Sequence, residues 1–133
     1  MILKNLTSGD AVELSHDLLW IDEHSWTSVV MQTERTLTGA MVVDTSTAKK
    51  GRNITLQPPD REMAFHARSI VDTLRDWSQL PEQQFKLTLD DKREFNVLFR
   101  HNDAPALEAN PVTNIQSFDP DSLWQIKLKF MEI

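Results

Sequence analysis

The segment "FKLTLDDKREFNVLFR" limits the possible folds of this chain more than any other. Phe85, Leu87 and Leu89 share one parity, and Phe95, Val97 and Phe99 share one parity of a second run, with Asp90-Asp91-Lys92 as turn material between them. Alternation of this kind describes two antiparallel strands with one face buried and the other in water. Two strands do not hold such a face alone, so the rest of the chain must add strands and a cover.

The cover is a helix. Met63, Ala67, Ile70, Leu74 and Trp77 recur at intervals of three and four, which predicts a helix over 60–80 with one apolar stripe. Asp60 after Pro58-Pro59 reads as its N-cap, and Leu80 before Pro81 as its end. Arg61, Glu62, Arg68, Asp72, Arg75 and Asp76 form the solvated side.

Further strands are predicted along the chain. "QIKLKFMEI" puts Ile126, Leu128 and Phe130 inward and Lys127 and Lys129 outward. "DLLWID" at 17–22 reads as a buried strand, "RNITLQ" at 52–57 as another, and the long connection after residue 100 as holding a short strand around 112–115. Six or seven strands and one helix predict a mainly β fold with one α-helix: a β-sandwich or partly open barrel with the helix on one side. A chain of 133 residues fills one core, so residues 1–133 form a single domain. Residues 1–16 read as an arm that orders on assembly.

The stretch 28–57 does not fit that scheme. "SVVMQTERTLTGAMVV" is rich in Val, Thr and Met, reads as extended, and is broken or bent at Gly39. With "RNITLQ" it predicts a long hairpin whose tip is the Ser-, Thr-, Lys- and Gly-containing loop "DTSTAKKG". Neither face of it reads as convincingly apolar, so it should meet a surface other than the core. Gln32, Thr33, Glu34, Arg35, Thr36, Thr38, Thr45, Thr47, Lys49, Lys50 and Arg52 are the candidate residues for that meeting.

Several function classes are disfavoured by simple chemistry. A net charge of −6, with Lys49-Lys50 as the longest basic run, opposes binding of nucleic acid by charge. Without cysteine there is no disulfide, thiolate metal site or cysteine nucleophile. No apolar run reaches the roughly 20 residues that cross a bilayer as a helix, and the first residues do not read as a signal peptide, so soluble intracellular synthesis is expected.

Ser15-His16-Asp17 has the residue types of a hydrolytic triad, but neighbours in sequence do not converge on one point. His16, His24, His66 and His101 lack the spacing that puts two ligands on one helical face, and Gly39 and Gly51 are isolated rather than part of a phosphate loop. No catalytic, cofactor or metal site is therefore expected. Of the four tryptophans, Trp20, Trp77 and Trp124 read as core, and Trp26 in "DEHSWTS" as partly exposed.

The order of motifs then carries a resemblance. "KKGRNITLQ", a helix bearing "LRDW", "FNVLFRHNDAPALEANPV" and a terminal "LKFMEI" resemble small tail and baseplate proteins of tailed phages and prophages, over about residues 17 to 133. The resemblance implies a tail-tube-like fold whose subunits close into a ring, a hexamer. Their hairpins would join into one β-barrel around a channel through which DNA passes without being specifically bound.

It further implies a connector between the tail tube and the baseplate or tip, located in the virion tail after synthesis in the host cytoplasm. The partners would be other copies of itself, the tail tube protein and baseplate or hub proteins, with no membrane. Which parity of the hairpin faces the channel stays open. The alternatives are a tail assembly helper and a monomeric β-sandwich that binds carbohydrate or peptide through Trp26 and the loop 101–114.

Overall fold

The computed structural model describes residues 1–48, 50–113 and 118–133. Its spine is the longest strand, β11 (Leu123–Glu132), in which Ile126, Leu128 and Phe130 are fully buried, as their alternation predicts. On one side β11 pairs with β6 (Asn53–Gln57) and β7 (Phe65–Ala67); on the other it pairs with β9 (Glu94–Phe99) and β10 (Leu107–Pro111). The register fixes these sides. Leu128 is opposite both Leu56 and Leu107, and Trp124 is opposite both His66 and Pro111, so each pair of partners must flank the strand.

The sheet continues from β9 to β8 (Phe85–Thr88), β1 (Ile2–Asn5) and β2 (Ala11–Glu13), and from β6 to β3 (Leu19–Trp20). Nine strands among the described residues form this body. β4 (Val29–Arg35) and β5 (Met41–Thr47) form a separate two-stranded sheet, and α1 (Arg68–Ser78) packs on β7, β10 and β11. The fold is thus mainly β with a single flanking helix among the described residues.

The core follows the predicted parities. Phe85, Leu87, Val97 and Phe99 are buried, and edge-on or tilted ring contacts run from Trp77 to Phe85 (5.5 Å), Phe99 (5.2 Å) and Phe130 (4.9 Å). Val71, Leu74 and Trp77 are the buried residues of α1. Burying each such side chain contributes about 1.5–3 kcal/mol, so this ladder and the aliphatic residues packed around it hold the body together.

Three expectations are corrected. The helix starts at Arg68 rather than Asp60, because residues 65–67 pair with β11 and strand pairing wins over helix propensity there. The side-chain amide of Gln125 donates to the carbonyls of Asp60 (2.8 Å) and Met63 (2.9 Å), which holds 60–63 as a turn. The helix has no side-chain cap: the N–H groups of Arg68 and Ser69 donate instead to the carbonyls of Ser122 (2.9 Å) and Pro120 (3.2 Å).

The segment 1–16 is no free arm. β1 pairs with β8 and β2, and Leu3 and Leu14 are core residues. The third correction concerns the hairpin, which runs over 29–47 and not 28–57: "RNITLQ" belongs to the body as β6, and "DTST" is strand β5 rather than a tip. Of the strand expected around 112–115, residues 114 and 115 lie outside the described ones and 112 and 113 form a turn that follows β10.

Candidate functional site

The hairpin turns where glycine allows it. Gly39 has φ +85°, the left-handed region, and closes the three-residue loop Leu37-Thr38-Gly39. Thr36 and Ala40 bracket the loop: Thr36 N–H donates to the Ala40 carbonyl (2.7 Å), and Ala40 N–H to the Thr36 hydroxyl (3.1 Å). Thr36 and Thr38 share a hydroxyl hydrogen bond at 3.0 Å. Leu37 stands fully in solvent at the tip.

Every residue of β4 and β5 is exposed. The two strands pair with each other alone among the described residues, so the outer edge of each is open. Directly opposed residues of an antiparallel pair share a face, so the register sorts the side chains. One face carries Val29 with Thr47, Met31 with Thr45, Thr33 with Val43, and Arg35 with Met41. The other carries Val30 with Ser46, Gln32 with Asp44, and Glu34 with Val42.

The hairpin therefore does have a more apolar face, against the reading of the sequence. Its four Val and Met residues alternate with threonine methyls, and its lone charge, Arg35, sits near the tip, where the guanidinium donates to the Gly39 carbonyl at 3.4 Å. Both carboxylates of the two strands, Glu34 and Asp44, lie on the opposite face.

The root of the hairpin is tied to the body on both stems. On the incoming stem, both carboxylate oxygens of Asp22 are used: one accepts the Thr55 N–H (2.9 Å) and the other the Thr55 hydroxyl (2.8 Å). Buried Arg100 completes this knot, donating to the Thr55 hydroxyl (2.9 Å) and the Phe130 carbonyl (3.2 Å) and lying 3.3 Å from the Asp103 carboxylate. Next to it, Glu23 pairs with Arg93 at 2.8 Å. The backbone N–H of Arg93, then its guanidinium, hold exposed Asp91 below the usual carboxylate range, and the bonds from Arg93 to Glu23 and Asp91 raise the guanidinium in turn.

On the outgoing stem, the Arg52 guanidinium lies over Trp26 (5.0 Å) and Trp20 (5.6 Å), and Trp20 meets Phe95 edge-on at 5.5 Å. Arg52 thus clasps the stem that leaves the hairpin to the one that enters it. Backbone bonds between Gly51 and Glu132 (3.0 Å) and between Glu132 and Arg52 (2.8 Å), and one from Lys50 Nζ to the Ile133 carbonyl (3.0 Å), attach the same stem to the end of β11. The hairpin projects from a stiff base.

The candidate residues distribute accordingly. Gln32, Thr33, Glu34, Arg35, Thr45 and Thr47 lie on the hairpin strands and Thr36 and Thr38 at its tip; Lys50 and half-buried Arg52 belong to the root; Lys49 lies outside the described residues. The clasp and the Asp22–Thr55–Arg100 knot were missed, since their members are scattered through the sequence and only the fold joins them.

Elsewhere, a cleft of 570 Å³ lies between α1 and residues 101–109, lined by Arg68, Arg75, His101, Leu107 and Trp124 among others. Trp26 is not part of its lining, so the two halves of the expected ligand site do not share this cavity. Among the described residues no group of three or more His, Asp or Glu is arranged to hold a metal ion, and no helix is long and apolar enough to cross a membrane. The expected loop in 101–114 is described through residue 113, and its first three residues form a 3-10 turn.

No known protein family, curated protein or solved structure matches this chain.

Proposed function

We propose that this protein is a noncatalytic structural subunit that closes into a ring, a hexamer, through its hairpin, and that the ring joins the tail tube of a bacteriophage to its baseplate or tip. One observation carries the ring: seven paired residues on each hairpin strand project from a clasped root with both faces and both outer edges in water. An isolated two-stranded sheet is marginal in water and its open edges invite pairing. Placing β4 of one copy beside β5 of the next repeats the antiparallel pairing already present within each hairpin. A contact of that head-to-tail kind closes into a ring when its rotation divides a full turn.

The place in a phage tail is supported by the resemblance of the motif order alone. In this reading the partners are further copies of the chain, the tube protein and the baseplate or hub proteins, and DNA passes through without specific binding. Cryo-electron microscopy of purified particles from the producing phage or prophage tests it. A closed ring of this chain with residues 29–47 around the channel is the expected result. Particles that lack the chain, together with a strictly monomeric protein at high concentration, would overturn it.

A further inference from the structure

The two faces of the hairpin differ in what they can meet, and this difference deepens the ring reading on which it rests. Val29, Met31, Met41 and Val43 stand on one face with exposures of 53, 60, 52 and 52%. Gln32, Glu34 and Asp44 stand on the other, with Val30, Val42 and Ser46, so that face has half as many large apolar residues and both carboxylates. Leaving the first face in water forfeits its apolar area, whereas covering the second would strip two carboxylates of water with no cation opposite them in the register. The asymmetry appears only once the strands are paired.

What covers the first face must also satisfy the strand edges beside it. Neither hairpin strand holds a lysine or proline, the residues that usually guard an exposed edge, whereas the body's end strands β2 and β3 are blunted by being only three and two residues long. A lipid surface supplies no backbone partner for these edges. Seven residues per strand also span only about 23 Å, short of the roughly 9–11 residues of a membrane-crossing strand. A second copy of the chain supplies both the strand and the apolar surface.

We propose that a second copy of this chain covers the Val29, Met31, Met41 and Val43 face, while the Gln32, Glu34 and Asp44 face stays in water and lines the channel. Each copy then adds two carboxylates to one wall. Their mutual repulsion opposes closure, so added salt tightens the ring as the screening length falls from roughly 30 Å at 0.01 M to roughly 10 Å at 0.1 M. The same carboxylates set the sign of the channel wall as negative.

Sedimentation velocity of the full chain and three variants tests this assignment. The hairpin lies outside the core, so near-ultraviolet circular dichroism should report an unchanged body in each variant. Met31→Lys with Val43→Lys is expected to weaken self-association at least tenfold. Glu34→Gln with Asp44→Asn is expected to strengthen it several-fold and to flatten its dependence on salt.

The reverse pattern, with the lysine pair tolerated and the neutral pair disruptive, would overturn the face assignment and leave the ring intact. A third variant with 30–46 replaced by an Asn-Gly turn separates the two ideas. If it associates as the full chain does, the ring through the hairpin fails. Retention of the full chain, but not of this third variant, on phosphatidylcholine vesicles would instead assign the apolar face to lipid and overturn the second copy as its occupant.

Discussion

Strand β11 and hairpin strand β4 both alternate, yet Ile126, Leu128 and Phe130 are shielded from water while Val29, Met31 and Thr33 remain in it. The contrast lies in what stands opposite. β11 has partners on both sides, and α1 packs against it. Among the described residues β4 has one partner and no cover. A pattern of side chains can make a strand, but neighbours decide whether the strand contributes stability or waits for a surface. The body buries its pattern within one chain, and the hairpin leaves its pattern in water.

Substitutions should separate the two regions, beginning with the largest effect. Phe130→Ala removes the fully buried ring at the end of the aromatic ladder and is expected to cost about 3–5 kcal/mol in urea unfolding. A loss under about 1 kcal/mol would mean that the ladder contributes little to holding the body together. Asp22→Ala should cost less, about 2 kcal/mol, by leaving the Thr55 N–H and hydroxyl without their acceptor and Arg100 short of one negative neighbour. In that variant amide exchange at 21–28 should rise with the hairpin ladder intact, since the knot holds the stem and not the strands.

A pH effect follows next. His66 is buried in β7, where its Nε2 accepts the Ser15 N–H at 2.9 Å and Nδ1 lacks a partner among the described residues. Burial pushes this imidazole below the ordinary histidine value of 6.5, and the Ala64 carbonyl, too poorly placed to accept a hydrogen bond, offsets part of that. The unfolded chain therefore takes up the proton first. The contribution of His66 is complete above about pH 6.5 and declines as pH falls through the lowered folded value. His66→Gln, whose amide oxygen can still accept from Ser15, should flatten the slope of the urea midpoint between about pH 7 and about pH 5. An unchanged slope would exclude His66 as its source.

The smallest effect on the body is expected from replacing 30–46 by an Asn-Gly turn. Its unfolding free energy at dilute concentration should move by less than about 0.5 kcal/mol, because no side chain of β4 or β5 is buried. A drop of several kcal/mol would show that the hairpin supports the body and would erase the contrast between the regions.

The legible parts of the sequence were those whose structure is local. The parities of 85–99 and 126–130 fix which side is buried without knowledge of the partners, and the break at Gly39 follows from its backbone freedom. The helix start was misplaced because Pro58, Pro59 and Asp60 imitate a helix start, and the pairing of residues 65–67 with a strand about 60 positions later leaves no local mark. The hairpin tip was misplaced because "DTSTAKKG" is polar, although threonine also favours strands. Without the right tip no register could be drawn, and Val29, Met31, Met41 and Val43 could not be seen to share a face. The Arg52 clasp was hidden for a similar reason: it joins residues 20, 26 and 52 across the whole excursion of the hairpin.

Amide hydrogen exchange over residues 29–47 at rising protein concentration measures the central claim most directly. Within one copy, the amides of β4 and β5 that point away from each other have no backbone partner among the described residues, and of these only the Val29 N–H meets a side chain, the Thr27 hydroxyl at 3.3 Å. The account predicts that these outward amides become protected as concentration rises, while those of β11 exchange slowly throughout. Outward amides that exchange at one fast rate at every concentration would contradict the claim that a second copy completes the hairpin.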